Sequence, residues 1–330
     1  MLSSKKRKFR WNIKNDIIGL TLNLPIILLV IILTFLPIIL SIIDSFKVNL
    51  KHSLVRYNFG IGNFQQLARD SQFKSGFINT NIIIFAGVPG VILLGFIFAI
   101  ILNEISSKMF KNVAIVALFS QFFTSAFAIG FAFIFLFGSH YDGFNKIFGT
   151  NFRFTNDQSP NNRNVLLVYF IFYFWRMLPF NVVMMTFSFS RSLERYSRVM
   201  KIDKIKFHHK LWYVYLKNFK AAFWLVLYVN FLNAALFYPG VIIEGNTPLS
   251  TINGNTLASY LFETIRSTES SLNPYNPFKA AAVNVIILLY LLGITLIFFI
   301  IKRLNVQTIT NITNKLNKLF KPKGKVNESN

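Results

Sequence analysis

IIGLTLNLPIILLVIILTFLPIILSII, residues 17–43, contains no charged side chain. A helix needs about 20 apolar residues to cross the hydrocarbon core of a bilayer, so this stretch is long enough to span one. Five more apolar runs follow, near Phe77–Leu102, Asn112–Phe137, Val165–Phe187, Ala221–Ile243 and Ala280–Ile301. The first run is too long for the apolar part of a cleavable signal peptide, and no small-residue cleavage site follows it. The expectation is an all-α integral membrane protein with six transmembrane helices.

Composition supports a bilayer. The 330 residues are 53% hydrophobic and include 39 Phe, yet 35 Lys and Arg stand against 12 Asp and Glu, a formal charge of +23. A soluble basic protein of this size needs charge over most of its surface, but only 14% of these residues are charged. Too much is apolar for a disordered polybasic chain. Cysteine is absent, which excludes a disulfide framework, a Cys-ligated zinc site and a thiolate nucleophile.

Orientation follows from the basic residues, which collect on the cytoplasmic side of membrane proteins. Twenty-four Lys and Arg fall before the first run, between runs two and three, between four and five, and after the last; nine fall in the alternate loops. That places both termini in the cytoplasm. The chain divides into a basic cytoplasmic N-terminus (1–16), a six-helix membrane domain (17–301) with a long cytoplasmic loop (188–220), and a basic cytoplasmic tail (302–330). The localisation implied is the cell membrane, multi-pass. Basic stretches such as Lys5-Lys6-Arg7-Lys8 invite a nucleic-acid reading. Beside a membrane span they are better explained by anionic lipid headgroups, so the expected contact is membrane lipid and no nucleic acid.

Several chemistries are missing. All carboxylates and all four histidines lie outside the apolar runs or at their edges, whereas a proton-driven carrier usually keeps a titratable group inside the membrane. No GxxxxGK[ST] stretch exists to cradle nucleotide phosphates, and no HExxH, GxSxG or paired-carboxylate constellation appears. No catalytic residue, metal site or cofactor is assigned to this chain. The clear intramembrane charge is Arg176, shortly before Pro179. It is either an anion or substrate contact in a water-filled cavity, or a guanidinium reaching headgroups or carbonyls where the helix breaks near Pro179.

Between runs four and five stands RSLERYSRVMKIDKIKFHHKLWYVYLKNFK, residues 191–220. Leu193, Tyr196, Val199 and Met200 recur at helical spacing, as do Phe207, Leu211, Tyr215 and Phe219. Two short amphipathic helices joined near Asp203-Lys204 are expected. They either dock into a groove on a cytoplasmic partner or lie on the headgroups.

These residues resemble a known family. WRMLPFN (Trp175–Asn181), about twenty residues before Ile202-Asp203, resembles the membrane subunits of type I ABC importers, which carry a cytoplasmic EAA loop after the fourth span. Gly60-Ile61-Gly62-Asn63-Phe64, then Leu67, Asp70, Phe73 and Asn79-Thr80, resemble the ordered series in the first external loop of carbohydrate permeases. Asp142-Gly143-Phe144-Asn145 resembles their Gly-x-x-Asn after span three, and Tyr275–Ala282 their aromatic, Ala-rich lead-in to span six. Asn79-Thr80 leans toward the first of the two paired permeases, of the maltose or glycerol-3-phosphate type.

The resemblance implies the type I importer permease fold. It also implies a sugar or glycerol-phosphate-like solute, a second permease, two ATP-binding subunits holding ATP and Mg, and an extracellular substrate-binding lipoprotein. On this view the chain is a transport subunit without its own ATPase site. The ATPase-coupling loop is Arg198, Val199, Met200, Ile202, Asp203, Lys204 and Phe207, and the candidate pathway residues are Arg176 and Asn181. The chain departs from the family where Glu-Ala-Ala falls on Arg198-Val199-Met200 and the family's Gly on Lys204. Gln121 stands where many relatives have Pro. The alternative from another class is a membrane-protein insertase or assembly factor, with Arg176 in a groove open to the cytosol and no nucleotide-binding partner.

Overall fold

The computed structural model describes residues 13–50, 53–155, 164–203, 205–243, 248–266 and 276–319. The chain forms two compact units, Met1–Leu67 with Ser267–Ile286, and Ala68–Arg266 with Ile287–Asn330.

In the first unit, α1 (Ile13–Val30) passes through a π-helical turn at Ile31–Phe35 into α2 (Leu36–Ser45). The turn has a local cause. Pro37 offers no N–H to the carbonyl four residues back and its ring crowds that carbonyl, so the ladder widens there. Thr21–Ser45 is long and apolar enough to cross a membrane, and none of its most apolar window is buried. An antiparallel hairpin follows, β1 (Lys47–Leu50) and β2 (Ser53–Phe59), with Val48 opposite Asn58. This hairpin corrects the expectation of a purely helical chain. Aromatic residues such as Tyr57 and Phe59 favour a pleated strand, and Gly60 donates its N–H to Phe46 O at 2.8 Å beyond it. In α3 (Gly62–Arg69), buried Asn63 donates to Ser45 O and Lys47 O at 3.0 and 2.9 Å. Asn63 thereby holds α3 to the junction of α2 and β1.

The second unit begins with α4 (Ser71–Ile82), which runs through a π turn at Ile83–Gly87, just before Pro89, into α5 (Val88–Glu104). Next come α6 (Lys108–Ser120), a 3₁₀ turn at Gln121–Phe123, α7 (Ala126–Phe137) and α8 (Gly143–Phe148). The expected third span is therefore two helices. Thr124 is extended (ψ 126°), and the Ser125 hydroxyl accepts from Phe127 N at 3.3 Å. Ser and Thr favour such a restart because their side chains replace the missing backbone partners.

The helix α9 (Asn164–Ile202) is unbroken for 39 residues and carries Pro179 inside it. This corrects the expected break near Pro179. The reason is local: one lost hydrogen bond is tolerated where flanking residues such as Met177, Val182 and Val183 are buried among neighbouring helices. It also corrects the first of the two short loop helices, which is the end of α9. Beyond a turn at Asp203, α10 (Phe207–Lys210), a π stretch (Leu211–Leu216) and α11 (Lys217–Ala235) form one run. The expected fifth span thus stops eight residues early. Tyr238, preceding Pro239, is extended, as steric conflict with the proline ring requires.

The sequence closes with α12 (Leu257–Arg266) and α13 (Pro277–Leu319). Among the described residues, four helices are long and apolar enough to cross a membrane: Thr21–Ser45, Ser71–Glu104, Asn164–Ser197 and Pro277–Leu304. Ala126–Phe137 and Ala222–Ala235 are shorter apolar helices.

The core of the second unit lies where α5, α9 and α11 cross, with Val91, Val168, Met185, Phe189, Val226 and Phe231 buried. Close approach needs a small residue. A Cβ on Gly95 would lie 2.6 Å from Asn181 Cβ, and one on Gly130 2.2 Å from Val241 O.

Candidate functional site

Two places in the second unit carry chemistry, and they depend on scaffolding at opposite ends of the Ser71–Glu104 helix. At its first end, Asp70 caps α4 by accepting from Gln72 N and Phe73 N at 2.9 and 3.3 Å. Its other oxygen accepts from Tyr260 OH at 2.7 Å. Burial and this carboxylate hold the Tyr260 phenol well above its ordinary range. Asn79 donates to Asn253 O and Asn255 O at 2.7 and 2.8 Å, and Thr80 Oγ1 accepts from Leu257 N at 2.9 Å. Asn145 donates to Asp142 Oδ1 and Phe152 O and accepts from Phe152 N. Among the residues that carry the family resemblance, Asn63, Asn79, Thr80 and Asn145 are buried and, with half-buried Asp70, staple separate segments together.

At the other end, Ile105 turns extended and leaves Asn103 and Glu104 at the helix terminus. Asn103 Oδ1 accepts from Lys111 Nζ at 2.8 Å and from Ser190 Oγ at 2.9 Å, linking the start of α6 to α9. Glu104 pairs with Lys210 at 2.6 Å and accepts from Tyr215 OH. Tyr215 is fully buried and packs edge-on against Phe189 at 5.1 Å. Burial first, and Glu104 second, push its phenol well above the usual range. One carboxylate therefore ties α10 and the following π stretch to the tip of α5.

The expected coupling segment sits beside this tie. Asp203 N–H returns to Val199 O at 2.9 Å and Ile205 N–H to Met200 O at 3.3 Å, closing α9. Beyond it lies a cleft of about 520 Å³ whose lining includes Asp203, Ile205, Lys206, His208, His209 and Tyr213. Ile202 is 79% exposed, and Val199 and Phe207 are more than half exposed. Met200 is half-buried and Asp203 exposed. Arg198 lies on the α9 backbone; its side chain and all of Lys204 lie outside the described residues. Of the apolar stripe expected from Phe207, Leu211 and Phe219 pack on the core, Tyr215 is buried in it, and Phe207 faces out.

The two candidate pathway residues differ. Asn181 is fully buried and exchanges hydrogen bonds with Asn230 at 2.6 and 3.2 Å, while Tyr173 OH donates to Asn230 O at 2.9 Å. It is a polar clasp between α9 and α11. Arg176 is exposed and lines a cleft of about 220 Å³ with Phe172, Tyr173, Asn233, Tyr238 and Val241 among its walls. Sequence reading missed Glu104, Lys210, Lys111 and Asn230, and it read Tyr215 only as part of an apolar stripe. The available signal was an acid at a helix C-terminus, where the dipole disfavours it, which asks for a cation. Among the described residues no group of three His, Asp or Glu is placed to hold a metal ion.

No family model matches the chain. It is 24% identical over 253 residues to a probable ABC transporter permease protein of Mycoplasma genitalium, covering 76% of this chain and 77% of that one. To a homologue of that permease in Mycoplasma pneumoniae it is 23% identical over 272 residues, covering 82% and 80%. Its fold matches a chain of a bacterial ABC transporter involved in the import of the acidic polysaccharide alginate. The TM-score is 0.71 at 15% identity, over 88% of this chain and 96% of that one. A second structure, the bacterial alginate transporter in complex with an alginate pentasaccharide-bound periplasmic protein, gives 0.66 at 16% identity over 87% and 94%. The chain is thus similar to probable ABC transporter permease proteins, and its fold is similar to that of a chain of the alginate transporter.

Proposed function

We propose that this chain is the membrane-spanning permease subunit of an ATP-binding-cassette importer. It lines half of the pathway for a carbohydrate or glycerol-phosphate-like solute. The broken α6–α7 pair and the α10–α11 run complete six crossings, with both termini and the Arg191–Lys220 segment cytoplasmic. The partners are a second permease, two ATP-binding subunits carrying ATP and Mg, and an external substrate-binding lipoprotein. A periplasmic protein is part of the similar alginate complex. The insertase alternative finds no support among the similar proteins.

The observation that carries the reading is the exposed turn from Val199 to Phe207, anchored to α5 through Glu104. Apolar side chains left in water on a rigid mount suit insertion into a partner's groove. Nucleotide-driven closure of the ATPases then moves that mount, and with it α5 and α9.

The test is purification of the tagged chain in nanodiscs with an ATPase assay, beside an Asp203→Lys, Phe207→Asp variant. Co-purification of a second permease and a P-loop ATPase, with the ATPase lost from the variant, is the expected result. Retention of the ATPase by the variant overturns the docking role; absence of any ATPase overturns the importer reading.

A further inference from the structure

The cleft beside Arg176 is unusual in what faces it. The α9 segment Asn164–Ser190 carries one charged residue, Arg176, and among the described residues that guanidinium has neither an ion pair nor a hydrogen bond. A cation left unpaired within a membrane span is expensive and is kept where it has a use. Among the described residues no carboxylate lines the cleft. The groups that do include Asn233, whose amide donates to Val229 O at 2.9 Å while its own carbonyl oxygen has no partner among the described residues, and half-buried Tyr238. The remaining walls, Phe172, Met177, Leu232 and Phe237 among them, are apolar and strengthen electrostatic attraction by excluding water.

From this we infer that the Arg176 cleft is a subsite for an anionic group, a phosphate or a carboxylate. The inference rests on the permease reading for its further consequence, that the transported solute carries such a group. At about 220 Å³, the space is below the roughly 300 Å³ where small-molecule pockets begin. It therefore takes one charged group and its immediate surroundings, and leaves the rest of a larger solute outside. Guanidinium presents a planar fork that matches two oxygens of phosphate or carboxylate; Tyr238 and Asn233 supply further polar contacts at the rim. The same chemistry is offered by a lipid phosphate, so the source of the anion is a separate question with its own arm in the test.

The experiment measures binding to the full chain, with whatever subunits co-purify, in nanodiscs of neutral phosphatidylcholine. Probes are inorganic phosphate, glycerol 3-phosphate, a uronic-acid disaccharide and, as neutral controls, glycerol and maltose. At least one anionic probe is expected to bind ten-fold or more tightly than its neutral counterpart. Arg176→Gln should remove that preference, and Arg176→Lys should keep part of it. A parallel arm uses nanodiscs containing phosphatidylglycerol and native mass spectrometry. A lipid retained by the unaltered chain and lost from Arg176→Gln, with no soluble anion competing, assigns the site to a headgroup and removes the solute consequence. Equal binding of neutral and anionic probes, or an Arg176→Gln chain that retains the preference, overturns the site. Should Arg176→Gln fail to fold, Arg176→Lys and the probe ratios on the unaltered chain still decide. Loss of the ATPase from the preparation counts against the permease reading alone, because the binding ratios do not depend on it.

Discussion

Lys210 meets Glu104 at 2.6 Å, joining the last residue of α10 to the last residue of α5. Both side chains are partly open to solvent, at 20% and 37%, so the pair alone contributes about 1 kcal/mol or less to stability. Its weight is mechanical: with Tyr215 it is the tie between the exposed turn and the α5 tip. Glu104→Lys should lower solute-stimulated ATP hydrolysis several-fold while leaving subunit assembly intact. Glu104→Lys combined with Lys210→Glu should recover part of it. Failure of the charge reversal to rescue, measured as transport per ATP hydrolysed, removes the pair from the coupling route.

Asp70 serves two partners at once, the α4 N-terminus and Tyr260. Asp70→Ala is expected to cost about 2 kcal/mol, roughly half from the lost cap and half from the lost phenol bond. Tyr260→Phe should cost only the second half. Thermal unfolding in detergent of both single variants and the double variant gives the coupling between them; a value near zero would show that the hydroxyl bond adds nothing.

Asn79 is nearly fully buried and satisfies two carbonyls of the segment before α12. Asn79→Leu fills most of the space but removes the shared donor, leaving Asn253 O with the longer bond from Ser75 Oγ at 3.4 Å and stripping Asn255 O of its amide, at a cost of about 2 kcal/mol. Limited proteolysis at residues 253–256 should become faster in that variant. Unchanged protection there would mean the staple is redundant.

Glu263 gives a pH signature. Burial raises its carboxyl above the ordinary value of 4.5, so folding binds its proton more tightly than the unfolded chain does. A raised folded-state value means its contribution is fully present below the unfolded value and is lost as pH rises through the folded one. Glu263→Gln should therefore raise the unfolding temperature at pH 7, by no more than about 2 °C because solvent screens a partly exposed group. The gain should vanish below about pH 4. A gain that persists at low pH points to packing instead of charge.

The apolar runs that mark Thr21–Ser45, Ser71–Glu104, Asn164–Ser197 and Pro277–Leu304 were legible because burial in lipid demands length and little else. The ordered series Asn63, Asp70 and Asn79-Thr80 was legible as a pattern, but its meaning was not. Asn63 and Asn79 donate to carbonyls of other segments, while Asp70 and Thr80 accept from Tyr260 OH and Leu257 N, and such long-range pairings leave no periodicity. Asn181 was a candidate pathway residue on the family resemblance; the partner that satisfies it, Asn230, lies on α11. The restart at Ser125 and the stop at Tyr238 came from single residues inside apolar stretches, where hydropathy averages over the signal. The hairpin was missed because loop residues 47–59 were read only for charge and motif.

The unbroken run of α9 has a geometric corollary. Thirty-nine residues of helix measure about 58 Å, against a hydrocarbon core of about 30 Å. The surplus is an arm, and nothing between Arg176 and Ile202 interrupts it. From one to the other is about 39 Å; pivoting about the former by five degrees carries the latter by about 3 Å. With α9 helical along all of that lever, Pro179 included, a push on the turn after Ile202 would reach the wall of the Arg176 cleft as rotation, without any side chain having to relay it.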